Sequence, residues 1–201
     1  IESKIEIIPN GIDLAEFENL PQKGTFRGKY DITYNQKIIL YLARIHKIKG
    51  PDLLVKAFAR RSNDFSDATL VIAGPDDGYL PTLEKLIKEL NIEGKVLFTG
   101  PLYGRDKLEA YVDADVYVLP SIYETFPVTV LEACACGTPV IVTARCGIAE
   151  VINGDVGLVV AYDKDQLSSA ISRMLGDGKL RQGFNERGKL LVQERFNWEK
   201  I

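Results

Sequence analysis

Val116-Tyr117-Val118-Leu119-Pro120-Ser121-Ile122-Tyr123-Glu124-Thr125-Phe126-Pro127-Val128-Thr129-Val130-Leu131-Glu132-Ala133 is the stretch whose reading decides the fold. A four-residue apolar run ends in Pro-Ser, a polar loop follows, and a helical pattern starts at Val128. A strand that turns into a helix in this way puts its loop at the carboxyl edge of a parallel sheet, where open α/β folds bind ligands. Glu124 precedes the helix and Glu132 lies about two turns inside it, so a carboxylate is expected on each side of the helix start. That end carries unpaired N–H groups and partial positive charge, which suits a phosphate or a hydroxyl-rich ligand.

Outward from this stretch the same unit repeats. Lys37–Ala43, Thr69–Ala73, Val96–Thr99, Val116–Leu119 and Val140–Val142 read as core strands, with Gly157–Val160 a shorter sixth. Helical patterns separate them at Pro51–Arg60, Pro81–Leu90, Arg105–Ala114, Val128–Cys136 and Ala149–Val151. Two more follow at Asp165–Leu175 and Asp177–Glu194. Alternating apolar strands and amphipathic helices specify a Rossmann-like three-layer α/β sandwich around a mostly parallel sheet of about six strands. The 201 residues suffice for one such domain and are short for two.

Residues 1–25 read as a lead-in containing a Pro9-Asn10-Gly11 turn. Residues 177–201 read as C-terminal helices, with a new one starting at Phe196-Asn197-Trp198-Glu199. Neither end has the look of a natural terminus, and the expectation is a piece of a larger protein.

Composition narrows the function. A net charge of −3 speaks against a general nucleic-acid binder. No apolar run reaches the roughly 18 residues of a membrane span. Cys134, Cys136 and Cys146 are odd in number, and the first two point to different faces of one helix; reduced, cytoplasmic thiols are expected rather than a metal cluster.

Three constellations could carry chemistry. Between Glu124 and Glu132 the Phe126-Pro127-Val128 turn is expected to be partly buried, and a buried carboxylate needs a partner. The diol of a ribose or hexose would supply one; a solvated pair favoured by the helix dipole is the alternative. In Leu40 to Pro51, Arg44 follows a strand and Lys49 precedes a helix. They are placed to clamp a diphosphate, Arg by its fork of donors and Lys as a point charge, or else form a solvated basic loop with His46 and Lys47. Gly74, at the end of a third strand, lets a ligand or another backbone come close. Neither a dinucleotide fingerprint nor a Walker loop is present. Asp113-Ala114-Asp115 reads as a helix end before a strand rather than a metal motif, and His46 as an exposed loop side chain. Tyr103, Tyr117 and Tyr123 read as packing or rim residues.

Together these segments resemble the C-terminal domain of retaining glycosyltransferases of group 1 (family 4), one half of the GT-B architecture. The resemblance runs through Ile8-Pro9-Asn10-Gly11-Ile12-Asp13, Arg44 with Lys49-Gly50, Ala73-Gly74-Pro75, Phe98-Thr99-Gly100, Pro120 to Ala133, Gly137 to Ile141 and Gly147 to Val151. It implies that Arg44 and Lys49 bind the diphosphate of a UDP- or GDP-sugar, that Glu132 holds the ribose, and that Glu124 holds the sugar. Main-chain groups of Thr125, Phe126, Pro127, Val128 and Thr129 would touch sugar and phosphates, with Gly74 beside them. Gly100 and the loop after it, including Leu102, would meet the base.

Many members carry Gly where this chain has Pro127, which has no N–H to donate. The resemblance further implies hexose transfer with retention, no cofactor and no metal, and a missing N-terminal domain that holds the acceptor and any peripheral membrane contact. The donor half alone is expected to bind without turning over. A sugar-nucleotide epimerase, a phosphorylase with a pyridoxal cofactor and a non-catalytic partner-binding domain remain the rival readings. A receiver-like domain would need an acidic cluster after its first strand, and none follows Lys37–Ala43.

Overall fold

The computed structural model describes residues 8–61, 65 and 67–201; the first seven residues of the expected lead-in lie outside them. Six strands form one sheet: β1 (Lys37–Leu42), β2 (Ala68–Ala73), β3 (Val96–Gly100), β4 (Val116–Leu119), β5 (Val140–Thr143) and β6 (Gly157–Val160). All pairings are parallel and the order across the sheet is β3-β2-β1-β4-β5-β6, so the expected Rossmann-like sandwich is present. The helices are α1 (Thr25–Lys29), α2 (Pro51–Arg60), α3 (Leu80–Glu89), α4 (Gly104–Asp113), α5 (Val128–Ala135), α6 (Ala149–Ile152), α7 (Lys164–Gly176) and α8 (Gly178–Arg195). The expected helices fall within one or two residues of these bounds.

Side chains alternate across the pleat and feed two cores. Ile38, Leu40 and Leu42 of β1 face α1, α4, α5 and α8, while Ile39 and Tyr41 face α2, α3 and α7. β4 divides the same way: Tyr117 and Leu119 enter the first core, Val116 and Val118 the second. Strands covered on both faces must be apolar throughout, which is why these runs were visible without alternation.

The lead-in is more structured than expected. Residues Leu14–Phe17 form a 3₁₀ turn capped by the Asp13 carboxylate, and α1 was not anticipated at all. Phe17 and Phe26 are buried in the first core. At the other end the helix expected from Phe196 onward is a turn, with the Lys200 amide donating to the Asn197 carbonyl. Lead-in and C-terminal segment pair with each other: the Ile12 amide donates to the Phe196 carbonyl at 2.8 Å, and the Trp198 amide to the Ile12 carbonyl at 3.2 Å.

Asp113-Ala114-Asp115 does join a helix end to a strand, and its carboxylates have structural work. Asp113, 1% exposed, accepts the amides of Gly24 and Arg27. Asp115 accepts the Ile38 amide and pairs with Lys37 and Arg27. The Arg27 guanidinium donates further to the carbonyls of Thr33, Gln36 and Asp113. This network fastens residues 24–36 to the start of the sheet. Removing one partner of a buried network strands the others without water. Arg27→Ala is therefore expected to cost about 3–5 kcal/mol, read as a lower urea midpoint, whereas Lys23→Ala nearby should leave the midpoint unchanged.

Candidate active site

The strand order reverses between β1 and β4, and there the sheet opens. Only two residue pairs join these strands, Ile39 with Val116 and Leu40 with Tyr117, against six between β1 and β2. Beyond them α2 departs to one face and α5 to the other, leaving a crevice at the carboxyl edge, the usual ligand position in such folds.

The two exit loops are tied across this crevice. The Ile122 amide donates to the Ile48 carbonyl at 2.8 Å. Lys49 Nζ forms an ion pair with the Glu124 carboxylate, their side chains 18% and 15% exposed. Gly50 has φ +69°, and a Cβ there would lie 2.0 Å from the Pro120 carbonyl oxygen, so no larger residue lets the loops approach this closely. Two buried tyrosines hold the β1 exit from opposite faces. Tyr41 donates to the Arg44 carbonyl at 2.8 Å; the Tyr117 hydroxyl lies 3.2 Å from the Leu42 carbonyl and 2.8 Å from Thr129 Oγ1. Burial pushes both phenols well up, so they stay neutral and keep their protons.

The sequence-derived residues take the following places. Arg44 is exposed at the rim and pairs with Asp77 at 2.5 Å; an exposed pair is weak, so the guanidinium can change partners. Gly74, at φ +146°, serves another backbone rather than an open ligand space: a Cβ there would sit 1.9 Å from the Ala43 carbonyl oxygen. Its amide donates to the Gly100 carbonyl at 2.9 Å. Gly100 has open space around it, whereas the Leu102 side chain is buried in the first core, leaving only its main chain to meet a ligand. Thr125 and Val128 are exposed, and Pro127 is the buried residue preceding α5. The Phe126 ring lies 5.6 Å from that of Phe196, and its carbonyl accepts from Asn10 Nδ2 at 3.3 Å. Among the described residues no side chain caps α5; the Val130 amide donates to the Pro127 carbonyl at 3.2 Å, which leaves the N–H groups of Val128 and Thr129 for the crevice.

The glutamates do not wait for a ligand diol. Glu124 is held by Lys49, and Glu132 by Lys107 Nζ at 2.7 Å and the Tyr111 hydroxyl at 3.2 Å. The reason is energetic: a charge withdrawn from water and left unpaired would undermine the fold before any ligand arrived. A carboxylate has about four lone-pair sites, so each keeps capacity for a further donor. Lys107 and Tyr111 were not anticipated, although their spacing of four on one helix places them on a common face. His46 also differs from expectation: half-buried, its Nδ1 accepts the Ile48 amide and caps the 3₁₀ turn Lys47–Lys49. Tyr103 and Tyr123 are exposed at the rim, 71% and 60%.

Among the described residues, no group of three or more His, Cys, Asp or Glu is placed to hold a metal ion. No helix among them is long and apolar enough to cross a membrane.

Residues 22–191 match the family described as glycosyl transferases group 1. The chain belongs to that family. An uncharacterised glycosyltransferase of Methanocaldococcus jannaschii is 35% identical over 205 residues, covering all of this group 1 chain and 52% of the relative. Among solved structures, a sucrose-phosphate synthase from Thermosynechococcus elongatus is 32% identical at a TM-score of 0.85, with 96% of this chain and 49% of that one covered. Anabaena HepE in complex with UDP-glucose is 22% identical at a TM-score of 0.85, over 96% of this chain and 53% of that one, and shares the fold. The group 1 chain thus spans about half the length of the proteins it matches.

Cys134 and Cys136 lie on or beside α5, Cys146 lies beneath the β5 exit loop, and all three are free and buried. Burial raises Cys134 and Cys136 from 9.0 to about 12 and Cys146 to about 11. In the unfolded chain the same thiols ionise near 9.0. Their contribution to stability is therefore complete below pH 9 and is lost as pH rises through about 11 to 12. Iodoacetamide at pH 8 is expected to label none of the three in the folded chain and all three in denaturant. Thermal midpoints should hold to pH 9 and fall above it.

Proposed function

We propose that the crevice binds a nucleoside diphosphate sugar, UDP- or GDP-linked, and forms the donor half of a retaining hexosyltransferase. The observation that carries this reading is the Lys49–Glu124 ion pair at the reversal of strand order, beside the uncapped start of α5. It sets a cation, a carboxylate and backbone donors around one opening: charge for a diphosphate, an acceptor for sugar hydroxyls, and helix N–H groups for phosphate oxygens. HepE, a protein of this fold with UDP-glucose bound, supports the ligand class at the level of fold.

In this reading Arg44 leaves Asp77 to grip the diphosphate with Lys49, and Glu132, oriented by Lys107 and Tyr111, accepts from the ribose. Glu124 accepts from the transferred sugar. As the bond from sugar C1 to the phosphate oxygen breaks, the electron pair stays on the departing diphosphate. Arg44, Lys49 and the α5 N–H groups stabilise that charge without a divalent metal. The acceptor comes from a part of the protein outside this chain, so the isolated chain binds and does not turn over.

Calorimetry on the isolated chain with UDP and GDP tests the reading. One of them is expected to bind with equal affinity in magnesium and in chelator. Arg44→Ala and Lys49→Ala should each cost roughly 1.5–3 kcal/mol of diphosphate affinity. The Arg44 variant should keep its urea midpoint, since an exposed pair contributes little, while the Lys49 variant should lose some stability by unpairing Glu124. Binding that vanishes with the chelator, or variants that bind as well as the parent, would overturn the assignment.

The glutamates should fail differently. Glu132→Ala should weaken the bare diphosphate and the sugar nucleotide alike. Glu124→Ala should weaken only the sugar nucleotide, and should leave the bare diphosphate unchanged or bound more tightly, because Lys49 is released. Equal losses for both ligands in both variants would mean that the pair serves the fold alone.

A further inference from the structure

A pocket of about 640 Å³ opens beside Glu124, between the β4–α5 loop and the β5–α6 loop. Its volume lies within the range of small-molecule sites. The two loops that form it are fixed to each other: the Glu124 amide donates to the Arg145 carbonyl at 3.3 Å, and the Gly147 amide to the Glu124 carbonyl at 2.8 Å. A Cβ on Gly147 would lie 1.8 Å from the Thr125 carbonyl oxygen, so backbone packs directly on backbone and the floor is preformed.

The lining carries charge that the fold does not consume. Arg145 is exposed, and its guanidinium has no hydrogen bond or ion pair among the described residues. Glu150, also exposed, has none for its carboxylate. The two line the same pocket yet do not pair with each other. Glu124 is already paired with Lys49, so among the described residues Arg145 and Glu150 are the cation and the carboxylate that line this space without a partner. Tyr123, 60% exposed, adds an aromatic face and a hydroxyl.

We propose that this pocket is a second subsite, adjoining the transferred sugar, for a hydroxylated small molecule that carries a carboxylate or phosphate. Arg145 takes the oxyanion through its fork of donors. Glu150 accepts from a hydroxyl, and Tyr123 covers the C–H face of the ring. The proposal rests on the donor reading for its place in the reaction, since Glu124 is the shared wall. The oxyanion belongs either to the donor sugar itself or to the acceptor, and the chemistry of recognition is the same for both.

The test is amide-resolved NMR titration of the isotopically labelled chain with glucuronate, glucose 6-phosphate and glucose. Both anions are expected to shift the amides of Gly147 and Ala149, and glucose is not. Arg145→Gln should weaken the anions at least tenfold, and Arg145→Lys should recover only part of the loss, because an ammonium cannot reproduce the fork. Lys164→Gln removes one positive charge at the exposed start of α7 and should leave both titrations unchanged. Absent shifts at these amides, an Arg145→Gln titration equal to the parent's, or an equal loss in Lys164→Gln would each overturn the subsite.

UDP-glucuronate and UDP-glucose then distinguish the sources. Tenfold tighter binding of the former, abolished in Arg145→Gln, assigns the oxyanion to the donor. Equal binding of the two, with glucose 6-phosphate still bound in the presence of UDP-glucose, assigns it to the acceptor. If neither UDP nor GDP binds while the Arg145-dependent shifts persist, the donor reading falls and the anion pocket stands.

Discussion

The structure depends on how its two halves are held together where the sheet changes direction. β1 and β4 share only two residue pairs, a short ladder for the seam on which both βαβ halves meet. What completes the seam lies above the ladder. The Pro120 carbonyl rests on Gly50, the Ile122 amide bonds to Ile48, Lys49 pairs with Glu124, and Tyr117 reaches across to Leu42 and Thr129. A crevice at this position is unavoidable in the topology, because α2 and α5 leave to opposite faces. Its width is set by these few contacts, and a glycine at 50 is what permits the narrow setting.

The same contacts that close the seam hold the charged groups in waiting. In the donor reading proposed above the crevice gathers cations for a diphosphate, and gathered cations in a partly buried crevice need counter-charges. The chain supplies them locally: Asp77 for Arg44, Glu124 for Lys49 and, one helix away, Lys107 for Glu132. On that reading ligand entry is an exchange of partners rather than the capture of an anion by free charges. The two cations differ in how tightly they are held. Arg44 sits in an exposed pair that water and salt screen readily; Lys49 sits in a largely buried one whose orientation is fixed by the seam. Arg145 stands apart from both, since it shares an open pocket with Glu150 and, among the described residues, forms no ion pair.

Away from the crevice, the amino edge of the sheet shows how polar groups can support a core instead of a site. Arg27, Asp113 and Asp115 gather amides and carbonyls from four segments. Read as a string, Asp-Ala-Asp resembles a metal motif; in the fold Asp113 accepts the backbone amides of Gly24 and Arg27, and Asp115 the Ile38 amide, Lys37 and Arg27. The helix α1 that completes this network is only five residues long, Thr25–Lys29, and carries a glycine. Its position comes from Phe26 entering the core and from the bonds to Asp113, neither of which is a local signal.

Much was legible in the sequence because it is local. Doubly covered strands need continuous apolar runs, so all six were found near their true ends, and Gly50-Pro51 marked the start of α2. The seven residues between Glu124 and Glu132 placed one carboxylate in a loop and the other two turns along a helix. What the sequence could not determine was partnership across distance. Lys49 and Glu124 are 75 positions apart, and Lys107 and Glu132 are 25; nothing in either segment specifies the other. The protein partners of the two glutamates were invisible in the sequence for this reason. The seam between β1 and β4, the burial of Leu102, the use of Gly74 for a neighbouring backbone and the unpaired state of Arg145 are likewise tertiary facts. Periodicity and turn chemistry act over a few residues, whereas the pairing of buried charges is decided only when packing brings distant loops within hydrogen-bond reach.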